Sequence, residues 1–174
     1  MLPRITIEQS IRQALTIAHQ DAVNAAKRAH DTATGSESVA ENKYDTFGLE
    51  ASYLAHGQSV RVAQCKEDML AYEQLFAVLK QKAATDALAE VSIKGPKKVA
   101  LGHLVELIDE DDKVSRLFMG PSAGGLKVPL DKASFMLITP QSPIGQKLLT
   151  CAVDDEIALT AAGKCHRYEI SAIS

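Results

Sequence analysis

Ile11, Leu15, Ala18, Ala22, Ala25 and Ala29 recur at spacings of 4, 3, 4, 3 and 4, a rhythm that draws one narrow apolar stripe along a helix. Such a stripe has to be covered, so the beginning of the chain calls for a second long helix. The stripe shrinks from Ile and Leu to Ala toward residue 30, so the partner can come closer at that end. Asp31-Thr-Ala-Thr-Gly-Ser-Glu-Ser38 then supplies turn formers and N-cap residues, which predicts a hairpin tip near residues 31–42. A second helix is expected near residues 41–88, with Phe47, Ala51 and Leu54, then Val62, Cys65, Met69, Tyr72, Phe76, Leu79 and Ala83 on one face. An extra step separates these two groups near Gly57 and Gln58. Because glycine lowers helix propensity by about 1 kcal/mol against alanine, a bend is expected there.

The pattern changes at Lys94-Gly95-Pro96-Lys97-Lys98, where two breakers and three cations interrupt it. Of 10 glycines and 6 prolines, seven and five lie in residues 94–174. A boundary is therefore placed between residues 1–93, an antiparallel coiled-coil hairpin, and residues 94–174, a turn-rich domain. Residues 1–93 carry 9 basic and 12 acidic side chains, and the remainder is neutral, so the formal charge of −3 belongs to the helical half. In the second half, strands are expected over Val99–Ile108 and Lys113–Met119, around a solvated turn at Asp109–Asp112. Gly120–Gly125 reads as another turn, Phe135–Ile138 as an apolar run, and Ser142–Leu149 as a short helix opened by Ser and Pro. Glu156–Leu159 and Cys165–Ile173 read as a closing hairpin. The expected class is α+β: a helical hairpin, then a small antiparallel sheet with one helix.

Composition excludes several functions. With 46% apolar and 24% charged residues over 174 positions, the chain should fold as an ordinary soluble protein. No apolar run approaches the roughly 20 residues of a membrane span, and the first residues lack the order of a signal peptide, so a cytoplasmic address and no membrane partner are expected. Cys65, Cys151 and Cys165 form no Cys-x-x-Cys pair, so buried thiols are expected in place of disulfides or a zinc site. There is no Gly-x-Ser-x-Gly elbow for hydrolysis, and Gly120-Pro-Ser-Ala-Gly-Gly125 lacks the Gly-Lys-Ser/Thr ending of a phosphate-binding loop. His103 and Glu106 fall in an expected strand at a spacing that sends them to opposite faces, and His19, His30 and His56 have no second ligand at i+4.

The informative cluster is at the tip, where Asp31, Glu37, Glu41, Asp45 and Glu50 face only Lys43. A charge run is most simply a solvated face. Carboxylates at the end of a rod, however, can reach into a narrow cavity and hold a divalent cation.

Four ordered segments of the second half, Val99-Ala-Leu-Gly-His-Leu-Val-Glu-Leu107, Phe135-Met-Leu-Ile-Thr-Pro-Gln-Ser-Pro-Ile-Gly-Gln-Lys-Leu-Leu149, Asp154-Asp-Glu-Ile-Ala-Leu159 and Gly163-Lys-Cys-His-Arg-Tyr-Glu-Ile170, resemble the Gre family of bacterial transcription factors. The resemblance implies an FKBP-like C-terminal docking domain and an N-terminal coiled coil that enters the secondary channel of RNA polymerase. In that family, acidic tip residues help to hold magnesium so that the polymerase cleaves backtracked RNA. The family's tip pattern Gly-Asp-Leu-x-Glu-Asn reads here Glu37-Ser38-Val39-Ala40-Glu41-Asn42. Glu41 and Asn42 match, Ser38 replaces the aspartate, and Lys43-Tyr44-Asp45 departs from the family's Ala-Glu-Tyr. The resemblance thus implies Glu41 and Glu37 as metal-assisting residues, and Ser38, Asn42, Asp45, Ser142 and Pro143 as binding residues. It implies an accessory factor that is not an enzyme and has no metal of its own, sharing Mg2+ with the polymerase and meeting nascent RNA only through the polymerase.

Three rival readings stand beside it: a channel-occupying inhibitor without cleavage, a helical-hairpin interaction module, and a peptidyl-prolyl isomerase sharing the FKBP-like fold. An isomerase pocket needs clustered aromatic side chains, and residues 94–174 offer only Phe118, Phe135 and Tyr168.

Overall fold

The computed structural model describes residues 4–35, 47–88, 97–130, 133–161 and 164–174. The expected boundary between residues 93 and 94 lies outside these residues, as does the tip segment 36–46. Two long helices come first, α1 (Arg4–Thr34) and α2 (Phe47–Leu88). Six strands and one short helix follow: β1 (Leu104–Asp109), β2 (Val114–Met119), β3 (Lys127–Leu130), β4 (Ala133–Ile138), α3 (Pro143–Leu148), β5 (Glu156–Ala161) and β6 (Lys164–Ile173). The expected class holds, with a long helical hairpin followed by a sheet with one short helix.

The described chain divides into two compact units, one formed by Leu15–Leu70 and the other by the chain up to Ala14 together with Ala71–Ser174. In the first unit, α1 buries Leu15, Ala22 and Ala29 and half-buries Ala18 and Ala25 between them, following the expected stripe. Cys65 Sγ lies 3.9 Å from the Ala18 carbonyl oxygen. In the second unit Arg12 meets Glu73. Partners on α2 thus fall in number as those on α1 rise, as an antiparallel hairpin requires. Asp31–Thr34, expected in the tip, continue α1, and there the Thr32 and Thr34 hydroxyls donate back to the carbonyls of Arg28 and His30 at 3.0 and 2.9 Å, an arrangement a helix accommodates.

The face of α2 departs from expectation at two positions, Leu54 and Ala83. Leu54 is 56% exposed and Ala83 is exposed; Asp68, Ala71 and Leu75 are covered beside a row formed by Ala51, Ala55, Gln58, Val62, Cys65, Met69, Tyr72, Phe76 and Leu79. This row alternates steps of 4 and 3 without interruption, so no shift in the seam occurs. Gly57 lies off this face, and α2 is helical throughout Phe47–Leu88. The hydrophobic Leu54 drew the expected stripe one residue off register, whereas the smaller Ala55 occupies the covered position.

In the second unit, the strand order is β3-β4-β2-β1-β6-β5. Every neighbouring pair is antiparallel except β2 and β4, which run parallel with Phe118 opposite Leu137. The sheet is therefore mixed where an antiparallel one was expected. The difference comes from β3, an edge strand the sequence pattern concealed: Pro129 cannot donate to a ladder, and the strand has only four residues.

Alternation along β1 and β2 gives the sheet two buried faces. Val105, Leu107, Leu117 and Met119 join Leu148 of α3, Ile138, Ile157 and Ile170 in one core. On the opposite face, Phe118 and Phe135 stack at 6.2 Å and Phe118 meets Tyr72 of α2 at 6.4 Å. Tyr72 is fully buried, its hydroxyl donates to the Ser122 carbonyl at 3.1 Å, and its ring lies 5.8 Å from Phe76. Gly120 is required at this contact, because any Cβ there would collide with the Tyr72 hydroxyl.

Two glycine substitutions should therefore act in opposite directions. Gly57→Ala meets open space and should raise stability by about 1 kcal/mol. Gly120→Ala should lower stability by at least about 1–3 kcal/mol, the cost of overpacking. Urea titrations followed by circular dichroism give both values; a neutral Gly120→Ala would contradict the packing described for Tyr72.

Candidate functional site

Most of the sequence-derived site lies on the segment joining α1 to α2. Glu37, Ser38, Glu41, Asn42 and Asp45 fall outside the described residues. The two flanking carboxylates of the tip cluster are described: Asp31 is exposed in the last turn of α1, and Glu50 is exposed in the first turn of α2. A carboxylate in a first helical turn complements the positive end of the helix dipole.

Ser142 and Pro143 are both described, and their geometry is that of a helix cap. Ser142 has an extended backbone; its Oγ accepts from the Gly145 N–H at 3.1 Å and donates to the Thr139 carbonyl at 2.7 Å. Pro143 occupies the first helical turn, where a missing N–H costs nothing. A Cβ at Gly145 would collide with the Thr139 carbonyl. The Ser-Pro-x-Gly sequence therefore fastens the start of α3 to the end of β4, with the serine hydroxyl engaged on both sides.

The remaining candidates are not brought together. His103 precedes β1, where its Nδ1 accepts from the Ala100 N–H at 3.1 Å. Glu106 lies in β1 and pairs with Arg116 across the ladder at 2.6 Å. His30 and His56 are exposed, and the partly buried His19 has no hydrogen-bond partner at Nε2 among the described residues. No group of three or more His, Cys, Asp or Glu side chains suited to a metal ion occurs among the described residues.

The thiols differ from the expected burial. Cys65 and Cys151 are partly buried, but Cys165 is exposed, because β5 and β6 form the sheet's outer pair and Cys165 lies near their connecting turn. Burial and nearby Asp155 push the Cys151 thiol up from its ordinary value. The aromatic residues of the second half do not gather into a pocket either. Phe118 and Phe135 are buried in contact with each other, whereas Tyr168 packs against the core that includes Leu148.

Sequence reasoning missed a charged clamp beside Tyr72. Arg12 donates from Nε and a terminal nitrogen to the two oxygens of Glu73 at 2.6 and 2.9 Å, and its guanidinium stands 4.7 Å above the Phe76 ring. Glu8 approaches the same Arg12 at 3.7 Å. A separation of 61 residues hides such a pair from any local pattern. The Arg12 hydrogen bonds, opposed by burial and aided by the guanidinium charge, hold the Glu73 carboxyl below its ordinary range.

No protein-family model and no curated protein matches the chain. Among solved structures it is similar to GreA factor homolog 1 (Gfh1) of Thermus thermophilus, with 20% identity, 94% of each chain covered and a TM-score of 0.38. It is also similar to Thermus aquaticus Gfh1, with 21% identity over 99% of this chain and 96% of the other and a TM-score of 0.37. The transcription elongation factor GreA/GreB of Nitrosomonas europaea is 24% identical over 60% of this chain and 79% of its own, with a TM-score of 0.36. At TM-scores this low the likeness by itself assigns no function. No helix among the described residues is long and apolar enough to cross a membrane.

Glu73 has a depressed folded pKa, so its contribution is complete above the unfolded value of about 4.3 and fades as the pH falls through the lower folded value. Glu73→Gln should therefore lower the melting temperature at pH 7, by less than about 1 kcal/mol equivalent because both side chains remain substantially exposed. Thermal melts of the two proteins should converge in acid; a gap that widens on acidification would contradict the clamp.

Proposed function

We propose that this chain is a Gre-like accessory factor that binds RNA polymerase and carries the carboxylates between α1 and α2 into the polymerase's secondary channel. The observation that supports this reading is the position of Glu41-Asn42. They lie on the connection between two antiparallel helices of 31 and 42 residues, the longest elements of the chain. At about 1.5 Å per residue such helices extend roughly 45 to 65 Å, enough to carry a few side chains deep into a narrow passage.

The sheet unit serves as the docking body, and the chemistry belongs to the polymerase. The chain is therefore not an enzyme and has no cofactor of its own. Its tip carboxylates contact the Mg2+ of the polymerase active site, and nascent RNA is reached only through the polymerase. The setting is cytoplasmic.

One residue favours weak cleavage and channel occupancy over strong cleavage. Magnesium prefers carboxylate oxygens, and Ser38 offers a neutral hydroxyl where the resemblance calls for aspartate. Glu37 is adjacent in sequence, but it sets a carboxylate one position away from the one the resemblance calls for, so it is no direct replacement.

Stalled, backtracked elongation complexes test the reading. The wild-type protein should slow elongation and stimulate RNA cleavage weakly or not at all, and Ser38→Asp should raise cleavage by about tenfold or more, the scale of one added charge-assisted contact. Strong wild-type cleavage that survives Glu41→Ala would overturn the assignment of the tip.

A further inference from the structure

Within the unit that holds the sheet, two concavities adjoin. A cleft of about 450 Å³ is lined by the cations Arg4, Lys82, Lys97 and Lys98, together with His103, Leu101 and Ser174, and among the described residues no Asp or Glu side chain lines it. Beside it lies a cavity of about 300 Å³ whose apolar wall is Ile7, Phe76, Leu79, Leu104 and Phe118. Arg4, Leu79, Lys97 and Ser174 line both, so the two lie side by side. Neither the tip nor the α3 cap contributes to it.

Four cations around one concavity contrast with a formal charge of −3 for the whole chain. Like charges gathered in a partly desolvated recess repel, and a bound anion relieves that repulsion. Burial, then the charge of Arg4, pushes the Lys97 ammonium below its ordinary range. Among the residues whose side chains are described, no carboxylate lies within 4 Å of Lys82, Lys97 or Lys98. Lys97 Nζ is anchored by donating to the Ile173 carbonyl at 3.1 Å. Among the described residues, Glu8 is the acidic side chain that lines the apolar cavity, and it is held between Arg4 and Arg12, each at 3.7 Å. His103 accepts at Nδ1 from the Ala100 N–H, so the proton of the neutral ring sits on Nε2, a further donor.

We propose that this double concavity binds a nucleoside polyphosphate, with the base against the apolar wall containing Phe76, Leu79 and Phe118 and the phosphates among Arg4, Lys82, Lys97 and Lys98. A polyphosphate concentrates several negative charges within a few ångströms, which matches four cations in one cleft, whereas a protein carboxylate brings one charge per side chain. A flat ring suits an apolar recess walled by two phenylalanines. The combined space falls within the range of about 300–1,000 Å³ usual for small-molecule sites. The proposal does not depend on the polymerase reading, since all of these residues belong to this chain.

Isothermal titration of the full chain at low salt tests it, using ATP and GTP against inorganic tripolyphosphate, adenosine, a single-stranded RNA with no terminal phosphate, and a peptide rich in Glu and Phe. The nucleoside triphosphates should bind at least about tenfold more tightly than tripolyphosphate, and far more tightly than adenosine, with affinity falling as salt rises. The double variant Lys82→Glu, Lys98→Glu should weaken that binding about a hundredfold, one charge-assisted contact per residue. Both lysines are exposed, so the variant's melting curve by circular dichroism should match the wild type. Absence of binding at millimolar nucleotide would overturn the proposal, as would affinity unchanged in a folded double variant. Equal affinity for tripolyphosphate would overturn the base site, and tighter binding of the RNA or the peptide would overturn the assignment to a nucleotide.

Discussion

The insertion of Tyr72 against the sheet is the contact on which the larger unit depends. A fully buried phenol has to place its ring among apolar neighbours and its hydroxyl on an acceptor, and here both requirements are met: Phe76 and Phe118 receive the ring and the Ser122 carbonyl receives the proton. Truncating a buried aromatic costs about 3–5 kcal/mol, a sizeable share of the 5–15 kcal/mol that stabilises a typical domain. Gly120, which leaves room for the hydroxyl, follows directly from this contact. The Arg12–Glu73 clamp and the guanidinium over Phe76 flank the same place on α2, adding polar specificity at the margin of an apolar contact.

The sequence was most readable where one physical period acts over many residues. The α1 stripe at Ile11, Leu15, Ala22 and Ala29 is buried as its spacing requires. On α2, ranking residues by hydrophobicity selected Leu54, but the covered row keeps its period through Ala51, Ala55 and Gln58, which leaves Leu54 56% exposed. Strand β3 was hidden by Pro129, a residue that argues against a strand everywhere except at an edge. The Arg12–Glu73 pair and the cationic cleft were illegible for another reason: both join residues from distant parts of the chain, and no local spacing encodes them. The Ser142-Pro-x-Gly145 motif was legible as a helix start, and Gly145 acquires its reason only when Thr139 is seen against it.

Charge is distributed by role along the chain. The acidic excess belongs to the helical half, and its cluster between Asp31 and Glu50 surrounds the connection of the two long helices. Cations gather instead in the unit that contains the sheet, at Arg4, Lys82, Lys97 and Lys98. The acidic excess and the cationic recess thus belong to different stretches of the chain.

The functional account rests on delivery of the α1–α2 connection to the polymerase active centre, and site-specific crosslinking measures that delivery directly. A photoreactive side chain placed at position 38 should, in assembled elongation complexes, join to polymerase segments around the catalytic magnesium. The same probe at the exposed Glu156 of the sheet unit should not. Crosslinks from position 38 confined to the outer surface of the polymerase, or none from either position, would contradict the account.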